Sequence, residues 1–301
     1  YQYTIQGWQT ISQATLNGNN IYSQELRYYN PALGAAALYG GNISEWSTRQ
    51  GTDAQSTYLM EYDNTGRLTG AMRHHNSLTT DFTYTERGIS YDANGNIVTL
   101  KRYGQSGTTP LNDLSYTYIG NKLSSISDLR GGGTSTFSYD ANGNMTSHGQ
   151  RGLQLLYNFI NLPSVMSGTL GAVTYSFSAD GTKVAVEDNS GNGYQYMGSL
   201  IYAKSGSTLT LESARFAHGY IAPQDGQVYY HTTDHLGSVR AITNMQGSVV
   251  ERNGYYPFGS ETALGSSYPK LLDNRMKFNG KEVQTIGNLG LLDYGARMYD
   301  P

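Results

Sequence analysis

The 301-residue chain contains no cysteine, which excludes disulfides and thiolate metal sites but leaves the compartment open. Charge is scarce as well: 14 % of residues are charged and the net charge is −3. A balance this thin excludes a basic track for nucleic acid and a polybasic patch for anionic lipid. No apolar run approaches the ~18 residues of a spanning helix. Tyr1 to Ile5 are already strand-like and carry neither the basic start nor the apolar stretch of a signal segment. The chain is therefore expected to be a piece of a longer polypeptide, with any targeting signal outside it. Helical periodicity is rare too. Residues 31–40 are expected to form one or two helical turns stopped by Gly40.

What the chain has in quantity is tyrosine and glycine, 27 and 37 residues, against 7 prolines. Tyrosine is a strand residue with a polar tip, suited to a sheet surface that stays partly wet. Glycine at this level, without a collagen period, is turn chemistry. Both are organised into a repeated phrase: Tyr-Asp, two small polar residues, Gly, a polar residue and an aliphatic one. It stands as Tyr62-Asp63-Asn64-Thr65-Gly66-Arg67-Leu68, as Tyr91-Asp92-Ala93-Asn94-Gly95-Asn96-Ile97 and as Tyr139-Asp140-Ala141-Asn142-Gly143-Asn144-Met145. Each copy reads as a strand end, a tight turn and a strand start. Asn-Gly in the second and third copies is expected to supply the two positive φ values of a type I′ turn. The Asp can accept hydrogen bonds from turn amides, and the Tyr and the aliphatic residue can pack across the strands.

Looser copies fill the gaps: Tyr118 to Leu123, Phe177 to Val184 and, more weakly, Thr243 to Val249. Units of roughly 20 to 30 residues mark repeat architectures. Alternation agrees, with Val173, Tyr175 and Phe177 on one strand face and Val184 and Val186 returning after the turn. The linker-like stretches Gln105 to Thr109, Gly131 to Ser135 and Gly265 to Ser267 read as loop tips. The fold class is therefore all-β: an array of antiparallel hairpins forming one long curved sheet. A sheet this wide cannot fill its interior as a small barrel does, so both faces are expected to tolerate water or a loosely held cargo. An open array also leaves edge strands, which invite self-association.

Candidate chemistry is thin. His231, Asp234 and His235 invite a metal reading, but on a strand the two imidazoles would share a face while Asp234 points away, an incomplete site. His74 and His75 alternate to opposite faces of a loop or exposed strand. Ser238 lies in Gly-Ser-Val-Arg, without the second glycine of a nucleophile elbow. Asn279-Gly280-Lys281-Glu282 lacks the Walker spacing. The repeat aspartates are turn residues rather than calcium ligands. No catalytic, cofactor-binding or metal residue is assigned, and no enzyme is expected.

The repeated phrases resemble the YD repeats of the RHS (rearrangement hotspot) proteins, relatives of the teneurins and of the insecticidal toxin C components. The last third resembles the RHS repeat-associated core in four ordered elements. Tyr229 to Arg240, with His231, Asp234, His235, Gly237, Ser238 and Arg240, resembles H-x-D-H-L-G-S-V-R with one extra Thr. Tyr255-Tyr256-Pro257-Phe258-Gly259 resembles Y-D-P-F-G, with Tyr256 in the place of Asp. Lys277-Phe278-Asn279-Gly280-Lys281-Glu282 resembles F-T-G-K-E. Leu291 to Pro301, with Tyr294, Gly295, Arg297, Asp300 and Pro301, resembles L-x-Y-F-G-A-R-Y-Y-D-P. Gly7-Trp8 with Ser44 to Ser47 resembles the stretch preceding the repeats in Bacteroidetes members.

The resemblance implies a YD-repeat array over residues 1–225 and a core region over 226–301, continuous with it and truncated at its C-terminal end. Arg240 and Arg297, lying in these elements, are expected to pair with buried carboxylates. In the family the sheet winds into a hollow shell around a variable C-terminal segment, often a toxin. Aspartates beyond the last element free that segment in many members. They would lie after Pro301, and Asp300 does not take their role. This chain is shorter than a complete shell, so an open curved sheet is expected. The implied function is a non-enzymatic shell segment that encapsulates and delivers its own C-terminal effector in competition between bacteria. Its place would be secreted or at the cell surface, without nucleic acid, cofactor or membrane span. The alternative is a teneurin-like or wall-associated adhesion module recognising glycan or protein.

Overall fold

The computed structural model describes residues 1–74, 82–263, 270–271 and 273–301. His75 and the stretch Gly265 to Ser267 lie outside the described residues. Twenty-three strands, from Gln2–Tyr3 to Val249–Arg252, form one sheet. Each strand pairs antiparallel with the next in sequence, a pure meander. The architecture is the expected one, an open all-β hairpin array not closed into a barrel. Gln105 to Thr109 is a loop tip, and so is Gly131-Gly132, after which Gly133–Tyr139 is strand.

Strand alternation divides the residues between two unlike faces. On the inner face Leu153, Leu155, Met166, Val173, Tyr175 and Val186 form a buried cluster. On the outer face hydroxyls sit opposite one another: Ser90 with Thr99 at 2.6 Å, Thr117 with Ser125 at 2.6 Å and Ser127 with Thr134 at 2.8 Å, all exposed.

The strip comes round until its late strands meet its early ones. There side chains make the join: His235 Nδ1 lies 3.2 Å from Gln24 Oε1, Gln50 donates to the Asn253 carbonyl at 2.9 Å, and Arg252 reaches Asp53 at 3.1 Å. No strand pairing crosses this seam among the described residues.

Two expectations are corrected. The inner face is not left to water: the described residues of 254–301, among which every element is two or three residues long, pack onto it. Leu289 and Leu291 complete the cluster of Leu153, Val173 and Val186, and each such side chain contributes about 1.5–3 kcal/mol on burial. Residues 31–40 form no helix. The buried carboxylate of Glu45 takes the amides of Ala32 and Leu33 at 2.7 and 2.6 Å, and the Leu38 amide goes to the Tyr28 carbonyl. The first amides of a helix have no intrahelical acceptor, so Glu45 alone would not prevent one. The Leu38 amide, which in a helix would bond the Gly34 carbonyl, is spent on Tyr28, and Gly34 itself stands at a φ of 92°.

Candidate functional site

The repeated phrase has one geometry. The Asp63 amide donates to the Arg67 carbonyl and the Gly66 amide to the Asp63 carbonyl, both at 2.9 Å. Asp63 Oδ1 accepts the amides of Thr65 and Arg67. Asp92 and Asp140 do the same with the amides two and four residues on. These hydrogen bonds hold the three carboxyl groups below the usual carboxylate range. The largest contribution differs: for Asp63 it is the Arg67 amide, for Asp92 and Asp140 the side chains of Asn96 and Asn144.

The turn type is a correction. Of the turn residues only Gly66, Gly95 and Gly143 have positive φ, at 81°, 88° and 88°. This is a type I turn closed by a left-handed glycine and a bulge, the three-residue hairpin loop, rather than type I′. The ladder shifts register beside Tyr62, Tyr91 and Tyr139 accordingly. The cross-strand pairs are as expected: Tyr62 faces Leu68, Tyr91 faces Ile97 and Tyr139 faces Met145.

The phrase also does something its letters do not announce. The Tyr91 hydroxyl donates to the carbonyl of Leu68, the aliphatic residue of the preceding copy, at 2.6 Å. Tyr118 does so to Ile97 at 2.7 Å and Tyr157 to Met145 at 2.9 Å. These three hairpins are thus each tied to a predecessor by a phenol. The available signal was the use of Tyr where Phe would pack as well.

The core elements reuse the turn. The Asp234 amide donates to the Ser238 carbonyl at 3.1 Å, and Gly237 closes the turn. Strand Gln227–Thr233 ends before Asp234, so the strand-face reading of His231 and His235 is overturned. His231 lies against Tyr220, rings 5.7 Å apart, while His235 sits in the turn, edge-on to Trp46 at 5.0 Å. Burial pushes the His231 imidazole down to about 4. Among the described residues no three His, Asp or Glu side chains group to hold a metal. Ser238 Oγ accepts the Asn279 amide at 3.0 Å, a structural use.

Asp234 also receives Arg240 Nε at 2.7 Å, with side chains 0 % and 7 % exposed, the buried pair expected for this arginine. The Arg240 guanidinium lies 4.8 Å from the Trp46 ring and 5.1 Å from that of Tyr255. Arg297 departs from the expectation. The Tyr294 amide bonds the Arg297 carbonyl, closing a turn whose tip, Tyr294 to Arg297, is exposed. An exposed tip offers no buried carboxylate.

The remaining elements anchor the segment to the sheet. Tyr256 and Gly259 form the same turn around Pro257 and Phe258, and the Tyr256 hydroxyl donates to the Tyr103 carbonyl at 2.6 Å. A Cβ on Gly259 would lie 2.5 Å from the Phe278 ring, so the close approach itself requires glycine. Gly280 turns the chain between Lys277 and Lys281. Glu282 is the centre of a buried network, accepting Arg275 Nε at 2.9 Å, Lys183 Nζ at 2.8 Å and the Tyr196 hydroxyl at 3.0 Å. Burial would raise its carboxyl, but Lys183 and Arg275 outweigh that and hold it low. Asp293 takes Lys183 at 2.7 Å, and Gly295 donates its amide to Asp293. Asp300 receives Arg151 Nε at 2.7 Å and lies 3.1 Å from His148 Nε2. Pro301 then borders a cavity of about 280 Å³ whose wall includes Tyr255, Lys277 and Leu292.

No family model matches the chain, and no curated protein matches it. Solved structures do. Over its full length the chain is similar to the "TcdB2-TccC3" structure, with a TM-score of 0.58 at 16% identity. Over 99% of its length it is similar to the "TcdB2-TccC3-Cdc42" structure, at a TM-score of 0.57 and 16% identity. Over 98% it is similar to the Photorhabdus luminescens Tc holotoxin pore carrying the TccC3-D651A mutation, at 0.54 and 15% identity. In each case it spans under a fifth of the other chain, 17% or 18%. The fold is that of these toxin-complex chains, an RHS-like open β-strip.

Proposed function

We propose that this chain is a wall segment of an RHS-type shell that encloses and delivers an effector encoded after residue 301 of the parent polypeptide. The observation carrying this reading is the placement of residues 273–301 inside the curl. Asp300 is clamped there by Arg151 and His148, and Pro301 borders the inner cavity. A polypeptide continuing from that point starts on the concave side. The likeness in fold to the toxin-complex chains supports the same reading. The segment itself is non-enzymatic, with the Bacteroidetes-like motifs pointing to a secreted or surface protein used between bacteria. Residues 1–225 serve as the repeat wall and 226–301 as the core region that turns inward.

Intact-mass spectrometry of the purified full-length parent tests this. Two co-purifying fragments, cut shortly after the core, are expected. A single chain with no domain after Pro301 would remove the cargo and with it the shell function. One observation favours adhesion instead: Tyr29 and Tyr39 stack at 6.0 Å, 41% and 77% exposed, an aromatic platform of the kind a sugar face covers. Glycan-array binding lost in Tyr39→Ala would support that reading.

A further inference from the structure

At the seam, the first repeat and three core elements surround a second cavity of about 180 Å³. Its wall is largely apolar. Trp46, Met60 and Leu68 come from the early strands, His235 from the Asp234 turn, Tyr256 from the Pro257 turn, and Phe278 from the segment on the inner face. An apolar cavity of roughly 150 Å³ is enough to hold a benzene ring.

One charged group shares this wall. Arg240 has a side chain 7% exposed and gives Nε to Asp234. Its two Nη nitrogens have no acceptor among the described residues, and they are not among the side-chain atoms sealed from water. The guanidinium also lies against the rings of Trp46 and Tyr255. A pocket of aromatic walls with a fixed donor pair is the usual make-up of a small-ligand site: the walls give affinity, and the donors fix orientation.

We propose that this cavity binds a six-membered aromatic ring bearing an oxygen acceptor, the ring among Trp46, Tyr256 and Phe278 and the oxygen on the Arg240 Nη atoms. The site does not rest on the shell reading: Phe278 also lines the inner cavity beside Pro301, but ring binding at the seam requires no cargo there. The same chemistry can reach it as a free phenol or as a tyrosyl side chain of a polypeptide.

Saturation-transfer NMR on the intact chain tests the site with p-cresol, toluene and N-acetyltyrosinamide. Saturable p-cresol binding is expected, at least about tenfold tighter than toluene, which has the ring without the oxygen. Leu68→Phe, which fills the cavity, is expected to weaken p-cresol at least about tenfold while leaving the urea midpoint unchanged. Binding of N-acetyltyrosinamide alongside p-cresol assigns the site to a polypeptide side chain, and p-cresol alone to a free small molecule. Absence of saturable binding, equal affinity for toluene, or indifference to Leu68→Phe would each overturn the proposal. Should Leu68→Phe shift the midpoint, Met60→Phe fills the same cavity from the neighbouring strand and decides the matter.

Discussion

Between Gln2 and Arg252 every strand is ordered by its sequence neighbour through a ladder, mostly across a local turn, and at Tyr91, Tyr118 and Tyr157 also by a phenol reaching one hairpin back. The described residues of 254–301 have almost no ladder of their own and are held by side chains reaching across the curl: Glu282 to Lys183, Asp300 to Arg151, Tyr256 to Tyr103. The array is therefore a sum of near-identical local units, as repeat proteins are. The segment is a single network in which each group depends on distant partners. The two should fail differently when damaged.

The largest effect is expected in the network. Glu282→Ala leaves Lys183 and Arg275 each short of a carboxylate in a buried setting. Lys183 keeps Asp293 and Arg275 keeps Glu212, so neither charge is left bare. The three hydrogen bonds lost, that of Tyr196 included, at about 1.5–3 kcal/mol each and less than additive, should still cost about 3–5 kcal/mol. Urea unfolding of the variant measures it, and a loss below about 1 kcal/mol would show the network to be dispensable. Leu155→Ala, which opens a cavity between sheet and segment, should cost about 2–5 kcal/mol. Because both changes loosen the same sheet–segment contact, the two losses should not add.

Acid separates the regions next. With His231 titrating at about 4 when folded and near 6.5 when unfolded, the unfolded chain binds the extra proton between those values. Stability is then whole above about pH 6.5 and falls as the pH drops toward 4, by up to about 3 kcal/mol. Urea midpoints at pH 7.5, 5.5 and 4.5 should show this slope, and His231→Phe should flatten it.

These contrasts follow how far the sequence could be read. The hairpin array was legible because alternation and turn residues act within a few positions, as at Tyr91 to Ile97. The turn type was misjudged since Asn-Gly suits both I′ and the bulged type I loop, and the choice fell to the Asp92 carboxylate, which binds amides of the latter. The helix over 31–40 failed because the Leu38 amide is drawn to the Tyr28 carbonyl, outside the window, and Gly34 takes a positive φ. The core elements were legible only by resemblance. Their partners, Arg151, Lys183 and Glu212, lie far away in sequence and carry no local mark. Arg297 belongs to an element but to none of its buried pairs.

Within the array, Tyr91→Phe removes one inter-hairpin hydrogen bond and should cost about 1 kcal/mol. Tyr157→Phe should cost the same, and the double variant their sum, because the two links share no partner. Coupling between them, read from a double-mutant cycle, would mean the array behaves as a network too.

The smallest effect tests what covers a hydroxyl pair rather than which region it lies in. Ser47–Thr57 and Ser127–Thr134 are both cross-strand hydroxyl pairs at 2.8 Å, the first buried and the second exposed. Thr57→Val strands the Ser47 hydroxyl without water and should cost about 1–3 kcal/mol. Thr134→Val leaves Ser127 a water to bond, and the change should stay within about 0.5 kcal/mol. Identical geometry then gives unequal energies, because what a hydroxyl pair contributes is set by what replaces it. Equal losses at both sites would place the outer hydroxyl rows among the elements that hold the sheet, not among those that keep it wet.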